Sequence, residues 1–226
     1  VTVWARRPES MVPLLQAGAT AAASPAAVAG QVDLVISMVA DAPDVAEVLL
    51  GEAGAAAGAA PGLVAVDMST IAPAAARDIA RQLADRGIDF VDAPVSGGEV
   101  GAVAGALSIM AGGSAEAFAR AQPAFACMGK NIVHVGASGA GQVAKAANQI
   151  VTGMGVLAVA EAFAFAGKNG VDPAKVREAL LGGFAYSRIL ENHGQRMLDR
   201  NFKPGFKSWM HEKDLNIVMQ TAHELG

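Results

Sequence analysis

The chain has 226 residues, 53 % of them apolar, a formal charge of −4 and one cysteine. That length and apolar content hold one or two domains with a full core and exclude a disordered chain, while dispersed basic residues under a net negative charge exclude a nucleic-acid footprint. The four histidines, His134, His193, His211 and His223, lack metal-ligand spacing, so no metal is expected.

Val1 to Trp4 reads as the end of a strand, Ser10 to Ala17 as a short helix, and Val32 to Val39 as a continuous apolar strand of the kind buried on both faces of a parallel sheet. Pro43 to Leu50 is helical, and the Ala/Gly-rich Gly51 to Gly62 is a helix end and loop. Leu63 to Asp67 is a strand, Pro73 to Arg86 a helix opened by proline and closed at Gly87, and Ile88 to Asp92 another strand. Leu107 to Ala111 and Asn131 to Val135 are strands flanking a helix from Ala115 to about Met128. Such alternation is the sequence form of an α/β, Rossmann-type doubly wound parallel sheet.

After Gly139 the strands stop. A helix of about seven turns starts at Gln142 and reaches Ala166. Pro173 to Leu181 with Asp172 as N-cap, Arg188 to Arg200 and Trp209 to Leu225 follow it. The chain therefore divides into an α/β domain over 1–137 and an all-α domain over 138–226. Its apolar runs are interrupted by glycine or charge short of a membrane-spanning length, and Val1 to Glu9 carry no secretory pattern. A cytoplasmic protein with no membrane partner is expected. Cys127, in a small-residue helix, is expected to be a buried structural thiol.

The stretch with the most chemistry is Gly139 to Asn148, which sets a lysine one turn into an apolar helix. Lys145, Asn148, Gln149 and Thr152 fall at i, i+3, i+4 and i+7 and share one face. A lysine snorkelling to solvent is the plain alternative, but it needs no line of amides behind it, whereas a carbonyl oxygen held beside an ammonium group does. Gly139, Gly141 and Ala144 also fit G-x-G-x-x-G/A. No second parallel strand and no ribose-binding residue follow at the required distance, so these glycines serve a tight turn and a packed helix start.

Cofactor chemistry is better placed at Ala5-Arg6-Arg7-Pro8, which follow the first strand where a dinucleotide fold meets the adenosine ribose. Arg6 there suits a 2'-phosphate, favouring NADP over NAD; two solvated charges in a turn are the alternative. Asp67-Met68-Ser69-Thr70 and Asp92-Ala93-Pro94-Val95-Ser96-Gly97-Gly98 close two strands on the side where ligands of open α/β sheets bind. Ser-Gly-Gly offers one hydroxyl and two unshielded amides to a carboxylate. Lys213-Asp214, opening the last helix, is by itself no more than a surface ion pair.

Three ordered motifs then resemble one family: Asp92 to Gly98, Gly139 to Asn148 with its lysine, and Pro204-Gly205-Phe206 followed by Lys213-Asp214. Together they are similar to the β-hydroxyacid dehydrogenases of the 3-hydroxyisobutyrate dehydrogenase type, over essentially the whole chain. Ser96 to Ala102, Leu107-Ser108-Ile109-Met110, Gly182 to Ala185 and Ser187 to Leu190 lie nearest the branch that reduces a three-carbon 2-hydroxy-3-oxo acid. Branched 3-hydroxy acids are the competing substrates.

The resemblance implies that Lys145 is the general acid/base, that Ser96, Gly97 and Gly98 hold the substrate carboxylate, and that Asn148 or Gln149 orients the substrate. It implies cofactor contacts from Thr70, Lys213 and the backbone at Met38 and Val39, with NADP as cofactor and NAD as the alternative. An unperturbed lysine pKa of roughly 10.4 suits an acid, hence reduction of an aldehyde. A small carboxylate-bearing aldehyde or hydroxyacid is the expected partner, in a homodimer or homotetramer. A non-catalytic dehydrogenase-like interaction module is the rival class, and loss of the lysine would mark it. The resemblance also places a first strand with its glycine-rich turn ahead of Val1 and further helices past Gly226. Residues 1–226 alone are therefore expected to hold the dinucleotide poorly.

Overall fold

A computed structural model describes all residues from Val1 to Gly226. The chain forms two compact units, Val1–Lys145 with Met219–Gly226, and Ala146–Val218.

In the first unit, β1 (Thr2–Val3) pairs in parallel with β2 (Thr20–Ala21), with α1 (Val12–Gln16) between them in sequence. α2 (Pro25–Ala29) follows, capped by Ser24, whose Oγ accepts from the Ala27 N–H. The main sheet starts with β3 (Leu34–Ser37), β4 (Val64–Asp67) and β5 (Asp89–Asp92), parallel and in that spatial order. α3 (Ala42–Leu50), the short α4 (Ala55–Gly58) and α5 (Pro73–Ala84) connect them.

Side chains of β4 and β5 alternate between two cores, as a sheet covered on both faces requires. Ala65 and Phe90 join Val45, Leu49, Ile71, Ile79 and Leu83 on one face. Val64, Val66 and Val91 join Ile109, Ala117 and Phe125 on the other. Each large side chain so buried contributes about 1.5–3 kcal/mol.

Beyond β5 the sheet changes direction. β6 (Val95–Ser96) and β5 both lie antiparallel to β7 (Leu107–Gly112), and β8 (Gly129–Gly136) runs parallel to β7. The turn at Ala93-Pro94 lets one chain segment supply two successive partners to β7. α6 (Gly98–Val103) precedes β7, and α7 (Ala115–Ala126), capped by Ser114 Oγ, precedes β8. Hence the parallel sheet expected from alternation is real on both sides of an antiparallel step, and strand direction is not something an apolar run encodes.

The long helix α8 (Ala140–Lys168) has 29 residues. In the second unit it is joined by α9 (Pro173–Leu181) and α10 (Arg188–Leu198), around Val159, Phe163 and Leu190. Asp172 Oδ1 caps α9 at the Ala174 N–H, and Ser187 Oγ caps α10 at the Leu190 N–H. α10 stops two residues short of expectation, because Arg200 turns into the left-handed region at φ +49°. α11 (Ser208–Leu225) is the last helix.

Four expectations are corrected. β3 is not buried on both faces, since Ile36 is 38 % exposed. Cys127 is exposed at the end of α7, its Sγ 3.5 Å from the Pro123 carbonyl, because it lies on the face away from the buried Ala117, Ala121 and Phe125. Apolar runs do reach a spanning length: α8 is long and apolar enough to cross a membrane by length and composition, glycines within it notwithstanding. Only 17 % of that stretch is buried, with Gln142, Lys145 and Gln149 among the buried residues of α8 and Val151, Met154, Leu157 and Phe165 among its exposed ones. Lys213-Asp214 is not a surface pair: the side chains are 17 % and 2 % exposed at 3.2 Å.

Candidate active site

The carboxyl ends of β3 and β4 are cross-linked by short polar side chains. Parallel register sets Ser37 beside Asp67, and Ser37 Oγ donates to Asp67 Oδ1 at 2.8 Å. Ser69 Oγ donates to the same oxygen at 2.7 Å and accepts from the Val39 N–H at 2.8 Å. The backbone at Met38 and Val39 is thereby held to the loop after β4, while the Met38 side chain is 66 % exposed. Thr70 lies next in that loop. Arg6, just past β1, is 80 % exposed and pairs with Asp44 of α3 at 3.1 Å. An exposed pair of that kind is worth little energetically, so the guanidinium remains available to an anion.

One strand over, Asp92 ends β5 with no exposure and serves as the cap of α8. Its Oδ1 accepts from Gly139 N at 2.7 Å and its Oδ2 from Gln142 N at 3.0 Å. Anions are favoured at helix N-termini, yet burial dominates and pushes the carboxyl up to about 6, with the two amide donors opposing and nearby Asp67 adding to the rise. Gly139 and Gly141 are glycines for the reason the sequence suggested. Gly139 has φ +87°, and a Cβ on Gly141 would lie 2.4 Å from the Met110 carbonyl oxygen and 2.6 Å from that of Asp92. α8 thus starts in backbone contact with the strand ends. Four residues past Gly141, Lys145 is only 8 % exposed.

Ser96 closes β6 and is half-buried; the next two residues have φ +137° and +60°, conformations open to glycine. Gly97 and Gly98 are exposed, and Gly98 opens α6.

In the second unit, Asn148, Gln149 and Thr152 follow on α8. Gln149 is buried and donates to Asp214 Oδ2 at 2.7 Å, while Asp214 Oδ1 pairs with Lys213. Asn148 is half-buried; its Nδ2 lies 2.8 Å from Gln149 Oε1 and 3.5 Å from Thr152 Oγ1. Of the two amides, Gln149 is committed to the α8–α11 packing and Asn148 is the more open.

Sequence reasoning passed over Gln142. It is 1 % exposed, its Oε1 accepting from Ile71 N at 3.1 Å and its Nε2 donating to the Ser69 carbonyl at 2.8 Å. Its only trace in sequence is a polar residue on the face of Lys145, three positions earlier.

Residues 1–136 match the NAD-binding domain of 6-phosphogluconate dehydrogenase, and residues 139–226 match the NAD-binding domain of NADP-dependent 3-hydroxyisobutyrate dehydrogenase. The chain is 50 % identical to 2-hydroxy-3-oxopropionate reductase of Escherichia coli K12, over 94 % of this chain and 73 % of that one. It is 38 % identical to 3-hydroxyisobutyrate dehydrogenase of Pseudomonas aeruginosa, over 98 % of this chain and 77 % of the relative. The solved structure of 3-hydroxyisobutyrate dehydrogenase of Mycobacterium tuberculosis with L-serine superposes with a TM-score of 0.87 at 31 % identity, covering 98 % of this chain and 77 % of that one. Two dehydrogenase domains in series and relatives matched over nearly the full chain show that it belongs to the 3-hydroxyisobutyrate dehydrogenase-like family of NAD(P)-dependent β-hydroxyacid dehydrogenases.

Proposed function

We propose that the protein reduces 2-hydroxy-3-oxopropionate (tartronate semialdehyde) to glycerate with NADPH, Lys145 acting as general acid. The observation that carries this is the buried Lys145, one turn into a helix whose start is fixed to the ends of the sheet. A dinucleotide fits the chain: β3 and β4 are parallel and end together, with the Val39 amide pinned and the Met38 side chain open beyond them. Met38, Val39, Thr70 and Lys213 would hold it, with Arg6 on a 2'-phosphate. When bound, the dihydronicotinamide supplies the hydride that the carbonyl carbon accepts.

The chain's own residues do the rest. Ser96 Oγ and the Gly97 and Gly98 amides bind the substrate carboxylate, and Asn148 orients the hydroxyaldehyde. Lys145 Nζ gives a proton to the carbonyl oxygen, which becomes the product hydroxyl, and the same amine takes it back in the oxidative direction. The 50 % identity to the Escherichia coli reductase supports this substrate over a branched one.

The test is turnover of tartronate, methylmalonate and succinate semialdehydes by the full-length enzyme with NADH and with NADPH. The expected result is highest kcat/KM for tartronate semialdehyde with NADPH; equal or better turnover of the branched methylmalonate compound would transfer the assignment to 3-hydroxyisobutyrate chemistry. A homodimer or homotetramer is proposed on the exposed apolar side chains of α8, Val151, Met154, Leu157 and Phe165 among them. Sedimentation velocity showing only monomer at micromolar concentration would refute it.

A further inference from the structure

We propose that Gln142 is a positioning residue for the proposed proton donor: its side-chain amide locks the first turn of α8 to the loop after β4, and so sets where Lys145 stands relative to the cofactor-binding loops. This rests on the reading of Lys145 given above.

Gln142 makes three bonds in three directions. Its own N–H goes to Asp92 on β5, its Oε1 takes the Ile71 N–H, and its Nε2 reaches the Ser69 carbonyl. Ser69 and Ile71 flank Thr70, so both ends of that short segment are tied to α8 by one side chain. From Ser69 the chain of bonds continues through its hydroxyl to Asp67 and to the Val39 amide. A single path of hydrogen bonds therefore runs from the backbone at Val39 to the helix turn that carries Lys145, three residues further along one face.

The bridge spans more than 70 residues of sequence, and nothing local holds those groups together. It needs one acceptor and one donor at the end of a three-carbon arm, which glutamine supplies. Leucine of similar size would leave the Ile71 N–H and the Ser69 carbonyl buried without this partner. An ionised glutamate would still accept from Ile71 but would set a negative oxygen against the Ser69 carbonyl. A protonated glutamate restores both bonds, so Gln142→Glu is a break that acid repairs, and burial raises the pH at which it does so.

The experiment compares wild type, Q142E, Q142L and K145A in the full-length enzyme, with kcat and KM for the semialdehyde measured from pH 5.5 to 8.5. Protein is kept well below its melting point, and circular dichroism confirms that it is folded. Asp92 and Asp67 face the same turn, and Arg77 of α5 lies beside Gly139, so the readout is the ratio of variant to wild-type kcat at each pH. The expected result is a kcat at least tenfold below wild type for Q142E at pH 8.5, rising toward wild type as the pH falls. KM should stay within about threefold, because Ser96 to Gly98 are untouched; Q142L should show the loss without the recovery.

A Q142E kcat within threefold of wild type at pH 8.5, or a loss that acid does not repair, would overturn the proposal. So would a loss confined to KM. If Q142L does not fold, Q142E in acid still decides the matter, since it is then isosteric with glutamine. The two readings fail separately: an active K145A removes the lysine assignment, whereas an inactive K145A beside an unaffected Q142E removes only the role of Gln142.

Discussion

Replacing Lys145 with alanine is expected to lower kcat by about 10²- to 10⁴-fold, the range a positioned proton donor contributes. The side chain is 8 % exposed on a turn anchored by Asp92 and Gln142, so neither bulk water nor a neighbouring lysine takes over its place easily. Arginine at this position separates charge from proton transfer: it keeps the cation but does not give up its proton. K145R should therefore be nearly as slow as K145A. Cofactor affinity should change little in either variant, because the proposed cofactor contacts lie on other elements, at Met38, Val39, Thr70 and Lys213. Turnover within a few-fold of wild type in K145A, measured by NADPH consumption, would end the proposed mechanism.

The second large effect is on stability. Asp92 titrates near 3.8 in the unfolded chain and at about 6 when folded, its burial outweighing the amides of Gly139 and Gln142. Between those values the folded protein holds the proton more tightly. The contribution is therefore complete below pH 3.8 and is lost as the pH rises through 6. The gap corresponds to ~3 kcal/mol. Asparagine carries no charge, so D92N should lack this dependence. In urea unfolding from pH 4 to 7, wild-type stability minus that of D92N should fall by up to ~3 kcal/mol toward neutral pH. A difference that does not vary with pH would remove burial as the dominant influence on this carboxyl. The carboxylate's use lies in its two oxygens, one for each of two helix-start amides; asparagine has only one.

Much of the architecture was readable because apolar runs and their punctuation carry secondary structure. Val64–Asp67, Asp89–Asp92 and the helices capped by Asp172 and Ser187 fall where hydrophobic period and end signals put them. Strand β2 and helix α2 did not show, because Thr20 to Ala29 is nearly all alanine and small residues, with no period to follow. β6 and α6 were hidden inside Pro94 to Val103, where proline and glycine read as a loop. The candidate site was legible wherever a residue type was unusual for its setting, as with Lys145 in an apolar helix or Ser-Gly-Gly after a strand. Gln142 and the Ser37–Asp67–Ser69 cluster depend on partners 30 to 73 residues away, which periodicity does not report.

The backbone contact at Gly141 bears on redesign. Since even a methyl group there would overlap carbonyl oxygens of two strands, the start of α8 has no slack through which Lys145 could be shifted. Glu99, Val100 and Val103 of α6, by contrast, stand in solvent and tolerate exchange at small cost. A library confined to those three positions leaves Gly98 and the first turn of α8 as they are.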